Sequence, residues 1–105
     1  MVKFANIYNH INLILVNLMT TNNQWHVYLL RCSDNSLYCG ITTDLIRRVK
    51  EHNTSVKGAK YTKTRRPVSL VYSEYVDGRS EACKLEAKIK KMPKTKKELL
   101  VADFK

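Results

Sequence analysis

Cysteine and acidic residues are both scarce in this chain of 105 residues. Its 3 cysteines cannot all pair, and Cys32, Cys39 and Cys83 contain no C-x-x-C spacing, so we expect neither a disulfide scaffold nor a clustered zinc site. Free thiols are typical of a reducing compartment, which predicts a cytoplasmic protein. No apolar run reaches the roughly 20 residues that a membrane-spanning helix needs, and we expect no membrane association.

The shortage of acidic residues leaves the chain strongly basic. It has 19 lysines and arginines against 9 aspartates and glutamates, a formal net charge of +10 at pH 7. On so small a body, this charge predicts a polyanionic partner, with nucleic acid the first choice. Hydrophobic residues at 44% and charged residues at 27% are near the averages of globular proteins and exclude wholesale disorder. The length corresponds to one domain, and we expect a monomer.

The first 18 residues differ from the rest of the chain. Segment 11–19 is apolar but contains two asparagines, and Lys3 is the single positive charge before it, so a secretory signal is poorly matched. We predict that Met19 is the natural start and that 1–18 is an upstream extension. An extra packing element and an export signal are the alternatives. We predict a single domain over 19–105, with its core over about 25–100.

The patterning beyond the extension predicts the element order β-β-α-loop-β-α-α. Three runs are typical of strands: 25–32, 37–41 and 68–76. Three segments have helical spacing or capping residues: 44–53, 80–91 and 96–102. The stretch 54–66 is basic and is predicted as a loop with at most a short helical turn. The expected fold is therefore α+β, a small three-stranded antiparallel sheet flanked by helices.

Local signals also predict the ends and faces of the helices. Residues able to cap precede each one: Thr42 and Thr43, then Ser80, then a capping box of Thr95 with Glu98. Three apolar positions form the expected buried stripe of the first helix: Leu45, Ile46 and Val49. The other positions of that helix are basic or polar, which predicts a solvated face.

Common catalytic motifs are missing from the sequence, which has no Gly-rich phosphate loop, no H-E-x-x-H and no G-x-S-x-G. Taken singly, each candidate catalytic residue also fits a structural role. Tyr28 and Tyr38 on the two hairpin strands fit packing roles, and Arg48 with His52 one turn later fits a solvated basic face. Glu86 fits an i,i+4 ion pair with a lysine as well as a metal ligand.

Taken together, these residues resemble the GIY-YIG nuclease family. The two motif segments are His26-Val27-Tyr28 and Tyr38-Cys39-Gly40, followed by Ile41-Thr42-Thr43-Asp44-Leu45-Ile46-Arg47-Arg48. His26 and Cys39 depart from the family pattern but leave both tyrosines in place. The resemblance is to the small single-domain bacterial members and covers about 25–100.

The resemblance implies a divalent-metal-dependent endonuclease that hydrolyses DNA phosphodiester bonds and selects structure rather than sequence. A non-catalytic nucleic-acid-binding protein with the same fold is the alternative, and RNA stays an alternative substrate. The catalytic residues it implies are Tyr28, Tyr38, Arg48, His52 and Glu86, with Gly40 structural at the second motif. Glu86 would hold one Mg²⁺ or Mn²⁺. The sequence leaves open whether Tyr28 or His52 is the general base, since His52 has the better-suited pKa.

Basic residues after the second motif are expected to bind nucleic acid. They are Arg47, Lys57, Lys60, Lys63, Arg65, Arg66, Lys88, Lys90 and Lys91. Their contacts would go to phosphates, which give salt-dependent affinity and little sequence information. No recognition helix or zinc finger is found beside them.

Overall fold

The computed structural model describes residues 24–104. The predicted extension 1–18 and the predicted start at Met19 lie outside the described residues. Seven elements follow in chain order: β1 Gln24–Arg31, β2 Leu37–Thr42, α1 Leu45–Thr54, α2 Lys60–Lys63, β3 Ser69–Asp77, α3 Arg79–Lys90 and α4 Lys94–Asp103. The predicted α+β architecture is confirmed, and α2 is a short helix inside the predicted basic loop. Within 24–104, no helix has the length and apolar character needed to cross a membrane.

A three-stranded antiparallel sheet of order β2-β1-β3 forms the centre of the fold. In the β1–β2 hairpin, Tyr28 pairs with Gly40 and Leu30 pairs with Tyr38. Because successive side chains alternate between the faces of a strand, Tyr28 and Tyr38 project from the same face. The hairpin thus brings the two tyrosines together on one side of the sheet.

Helices cover both faces of the sheet. On one face, α3 contributes Ala82 and Ile89 to a buried cluster with Val27 and Leu29. On the other face, Leu45 and Val49 of α1 pack against a second cluster: Tyr28, Leu30, Cys32 and Val68. The two candidate tyrosines therefore lie in the layer between the sheet and α1.

The rotation of α1 differs from the sequence prediction. Ile46, expected in the buried stripe, is 85% exposed, whereas His52, expected on the solvated face, is fully buried. Leu45 and Val49 are half-buried as predicted. The buried positions of α1 thus form one helical face, which contains Leu45, Val49 and His52. The imidazole of His52 can lie on this face because it finds hydrogen-bond partners inside the protein.

The predicted caps are wrong for all three long helices. Asp44 caps α1 by accepting a hydrogen bond from the Arg47 amide at 3.1 Å, and Thr42 accepts from the Asp44 amide instead. Gly78 precedes α3 and Pro93 precedes α4, in both cases without a side-chain cap.

The expected capping glutamate of α4 has a tertiary partner. Glu98 accepts hydrogen bonds from Arg31 of β1 at 2.5 and 2.7 Å, and Lys94 lies 3.1 Å from it. Hydrogen bonds from Arg31 and Lys94 lower the pKa of Glu98 to about 2. This contact fastens α4 to the central strand.

Candidate active site

The site begins at Gly40, where the backbone of β2 passes close to the ring of Tyr28. A Cβ atom at Gly40 would lie 2.6 Å from Cζ of Tyr28, closer than side-chain carbons approach one another. Gly40 thus marks a close approach of the β2 backbone to the Tyr28 ring. Gly40 leaves the space in which the Tyr28 hydroxyl lies over β2, pointing toward α1.

The Tyr28 hydroxyl enters a buried chain of hydrogen bonds that ends in α2. Its oxygen lies 2.8 Å from Nε2 of His52, and Nδ1 of His52 lies 2.8 Å from Oγ1 of Thr62. The Thr62 hydroxyl in turn donates to the Ala59 carbonyl at 3.0 Å. Tyr28, His52 and Thr62 are each at most 1% exposed.

One arrangement of protons gives every donor in this chain an acceptor. The Tyr28 hydroxyl donates to Nε2 of His52, the Nδ1 hydrogen goes to Thr62, and the Thr62 hydroxyl donates to Ala59. Thr62 thereby fixes the tautomer of His52, so that a lone pair on Nε2 faces Tyr28. We call Tyr28, His52 and Thr62 the buried relay.

Burial keeps the relay neutral at physiological pH. Desolvation, opposed by the nearby Arg48 side chain, raises the pKa of Tyr28 to about 12. Desolvation and the positive charge of Arg48 lower the pKa of His52 to about 4. Tyr28 is therefore a protonated phenol and His52 an unprotonated imidazole that accepts its hydrogen bond.

Tyr38 and Arg48 connect the buried relay to the surface. Both are partly exposed, and the Tyr38 ring packs edge-on against the His52 ring with centroids 5.2 Å apart. Nη1 of Arg48 donates to Glu51 and to the Lys57 carbonyl, each at 2.9 Å. These two bonds hold the guanidinium in place beside the Tyr28 hydroxyl.

Glu86 lies on α3, which packs on the other face of the sheet from Tyr28 and Tyr38. Its carboxylate lies 3.3 Å from the Lys90 ammonium, the ion pair that the spacing predicts, and 21% of its side chain is exposed. Burial raises the pKa of Tyr38, the positive charges of Lys90 and Arg48 lower it, and the negative charge of Glu86 raises it. The charge of Glu86 thus acts on the Tyr38 hydroxyl from the α3 side of the sheet.

A metal at this position would have one protein ligand. Residues 24–104 contain no group of three or more His, Cys, Asp or Glu side chains able to hold an ion. Mg²⁺ keeps several waters and often binds through one carboxylate and substrate phosphates, so the partly exposed Glu86 fits such an ion. A zinc-type site does not fit.

The basic residues predicted to bind nucleic acid fall into two groups. Arg66 donates to the carbonyls of His52 and Ser55, each at 2.6 Å, so its guanidinium binds the carboxyl end of α1. Lys90 pairs with Glu86. The others have exposed or half-exposed side chains: Arg47, Lys57, Lys60, Lys63, Arg65, Lys88 and Lys91.

Sequence reasoning missed Thr62. It lies in the basic stretch that was predicted to be a solvated loop, and it is fully buried. A small polar residue among lysines gives no periodic signal over a four-residue helix. Its role depends on a contact with His52, ten positions earlier, which only folding brings within reach.

Comparisons with known proteins identify the family of this chain. A family model described as the GIY-YIG catalytic domain matches residues 24–98. The UPF0213 protein DP2720 of Desulfotalea psychrophila is 52% identical over 82 residues, 78% of this chain and 74% of that protein. The UPF0213 protein YazA of Bacillus subtilis is 48% identical over 85 residues, 81% of this chain and 84% of that protein.

A solved structure shares the fold. The solution NMR structure of the protein EF2693 from E. faecalis aligns with a TM-score of 0.53 at 45% sequence identity, covering 74% of this chain and 82% of that chain. The matched family segment contains both motif tyrosines, the α1 residues around His52, and Glu86 of α3. This chain therefore belongs to the GIY-YIG family and, within it, is similar to the small bacterial UPF0213 proteins.

Proposed function

We propose that this protein is a divalent-metal-dependent endonuclease that hydrolyses phosphodiester bonds of DNA and selects its substrate by structure rather than sequence. The observation that carries the proposal is the gathering of Tyr28, Tyr38 and Arg48 around one buried histidine, His52. Family membership supports the reaction class, and the net charge of +10 supports the partner.

Tyr28 is the proposed general base, with His52 as the acceptor of its proton. His52 is fully buried, so it can reach a water only through the phenol that donates to it. As the Tyr28 oxygen takes a proton from the attacking water, its own proton passes to Nε2. The pKa of about 12 for Tyr28 means that both transfers must be concerted, because no phenolate is present beforehand.

Arg48 is proposed to stabilise the charge that develops on the phosphate oxygens. Its bonds to Glu51 and the Lys57 carbonyl fix the guanidinium before substrate arrives, which avoids reorganisation during the reaction. Tyr38, partly exposed beside His52, is proposed to orient the water. Both side chains would contact the substrate directly.

Glu86 is the proposed protein ligand of one Mg²⁺ or Mn²⁺. When bound, such an ion supplies Lewis-acid stabilisation of phosphate and leaving-group oxygens. Lys90 lies 3.3 Å from the carboxylate and holds it in position, and its ammonium would have to leave this contact for an ion to bind. The ammonium end of the pair is half-exposed, so solvent screens the attraction and lowers the cost of opening it.

A second function, binding of nucleic acid without catalysis, is favoured by one observation. Tyr28 is 1% exposed and His52 is fully buried, and both have satisfied hydrogen bonds. A buried, neutral and fully bonded pair is also what a structural network requires. The exposed lysines and arginines would then bind nucleic acid, and no cleavage would follow.

Incubation of the purified protein with supercoiled plasmid separates the two functions. We expect nicking with Mg²⁺ or Mn²⁺ and none in EDTA, scored by conversion to relaxed circles on a gel. A structured RNA serves as the parallel substrate. Binding of DNA in a gel-shift assay without any nicking across a panel of divalent ions would contradict the proposed endonuclease and establish the binding function.

DNA affinity should depend steeply on salt. If the exposed lysines contact phosphates, log affinity should fall linearly with log salt concentration, with a slope of about 4–7 in magnitude. The double variant Lys60→Ser, Lys63→Ser should reduce that slope by roughly 2 and weaken duplexes of every sequence alike. Fluorescence anisotropy in EDTA at several salt concentrations measures the affinity and its salt slope.

The charge-conserving double variant Lys60→Arg, Lys63→Arg is the matched control and should keep the parental slope. Both lysines lie on the exposed side of α2, so neither change should alter the melting temperature by more than a degree or two. An affinity that is insensitive to salt, or confined to one duplex sequence, would contradict phosphate binding by this surface.

A further inference from the structure

Three flat side chains form a continuous stack beside the candidate active site. The rings of Tyr38 and Tyr61 are nearly parallel, with an interplanar angle of 26° and centroids 5.8 Å apart. The guanidinium carbon of Arg65 lies 3.8 Å from the centroid of the Tyr61 ring. We call Tyr38, Tyr61 and Arg65 the planar stack. In single-strand-binding proteins, nucleobases stack on the flat faces of such side chains.

The outer member of the planar stack is held rigidly. Arg65 donates from Nε to Asp34 at 3.0 Å, and from Nη1 to the Tyr61 carbonyl at 2.9 Å. Its own carbonyl accepts from the Ser33 amide at 2.9 Å, which ties it to the turn of the β1–β2 hairpin. A fixed plane loses little conformational entropy when a second plane stacks on it, because its own rotamer is already set.

The planar stack leads from the reaction centre to solvent. Its inner member, Tyr38, packs against His52 at 5.2 Å between centroids, while Tyr61 is 38% exposed. The side chain of Arg65 is 33% exposed. Lys60 and Lys63 flank Tyr61 on α2, with exposed side chains suited to the phosphates on either side of a bound nucleotide.

We propose that the planar stack binds an unpaired nucleobase next to the cleaved phosphate, so that the preferred substrate is DNA with at least one unpaired nucleotide at a duplex junction. This inference rests on the proposed function, because it assigns the substrate of that same site. Bases inside a duplex already stack on each other and cannot reach a protein plane without leaving the helix. Stacking ignores base identity, which agrees with selection by structure rather than sequence.

Anisotropy in EDTA tests the proposal without any cleavage. The probes are a blunt duplex and the same duplex with a short single-stranded overhang, bound at one salt concentration. The parent should prefer the overhang. Tyr61→Leu removes the ring that the Arg65 guanidinium covers, so it should weaken binding of the overhang by about 5- to 100-fold, the range of one base stack, and change duplex binding by less than about twofold. Tyr61→Phe should keep the parental preference.

Arg65→Lys is the second variant, because it keeps the charge and removes the plane. It should reduce the preference for the overhang while leaving the salt slope of duplex binding unchanged. A third readout uses 2-aminopurine between thymines in the overhang, whose fluorescence is quenched when its ring stacks. We expect quenching by the parent and by Tyr61→Phe, and little quenching by Tyr61→Leu at saturating protein.

Equal weakening of duplex and overhang by Tyr61→Leu, or no preference for the overhang in the parent, would overturn the proposal. If the leucine variant fails to fold, an absence of 2-aminopurine quenching by the parent has the same meaning. A protein that prefers the overhang but never nicks DNA would refute the endonuclease and leave the planar stack standing. Cleavage of plain duplex and overhang at equal rates would refute the planar stack alone.

Discussion

Glu86→Gln is expected to abolish metal-dependent cleavage while DNA binding in EDTA stays intact or becomes slightly tighter. The amide keeps the shape of the carboxylate but loses the negative charge that would hold Mg²⁺ or Mn²⁺. Since a metal contributes several kcal/mol of charge stabilisation, the nicking rate should fall by at least about 100-fold. Binding should not suffer, because a negative charge near the DNA phosphates is removed.

Glu81→Gln is the matched control for this prediction. Glu81 lies on the same helix, α3, and pairs with Lys84 at 3.4 Å, but its side chain is 59% exposed and it has no contact with the candidate site. Its substitution should leave the nicking rate unchanged. Nicking by Glu86→Gln at the parental rate, with metal and without EDTA, would contradict the assignment of the metal to Glu86.

Tyr28→Phe is expected to lower the cleavage rate by about 100- to 10,000-fold, the usual contribution of a positioned general base. The change removes the hydroxyl that would take the proton of the water, and it also leaves Nε2 of His52 buried without its donor. We expect a loss of about 1–3 kcal/mol in the free energy of unfolding from that orphaned acceptor. Single-turnover nicking and urea denaturation measure the two effects separately.

Tyr72→Phe is the control for loss of a phenol. The Tyr72 hydroxyl donates to Glu74 on the opposite face of the sheet, so its removal should leave cleavage unchanged. Parental activity in Tyr28→Phe would identify the buried relay as a structural network.

The pH profile of cleavage should follow the protonation of His52. Because burial lowers the pKa of His52 to about 4, the parental cleavage rate should fall through protonation of His52 only as the pH approaches that value.

Much of the architecture follows from local signals in the sequence. The two strand-like runs on either side of the turn 33–36 predict the hairpin, and the helical spacing over 80–91 predicts α3, as observed. The segment from Tyr38 to Arg48 also predicts the family, which the matching domain model over 24–98 confirms. These features depend on near neighbours in the chain, so a linear pattern carries them.

Other features depend on contacts between residues distant in sequence. Glu98 was assigned to a local capping box with Thr95, yet it binds Arg31 of β1, 67 positions away. Arg66, which is predicted to bind nucleic acid, donates to carbonyls at the end of α1, a contact that no local pattern signals. A charged side chain has several possible partners in a sequence, and packing selects the one that is near and correctly oriented.

The sequence by itself determined the element order, the sheet, the family and the identity of the two motif tyrosines. Only the tertiary structure decided that His52 is buried, that Thr62 fixes its tautomer, and that Tyr61 with Arg65 extends a planar stack from Tyr38. Periodicity reports which side of an element is apolar, whereas a polar residue is buried only where folding supplies its hydrogen-bond partners. Those partners come from α1, α2 and the hairpin, which meet only in the folded chain.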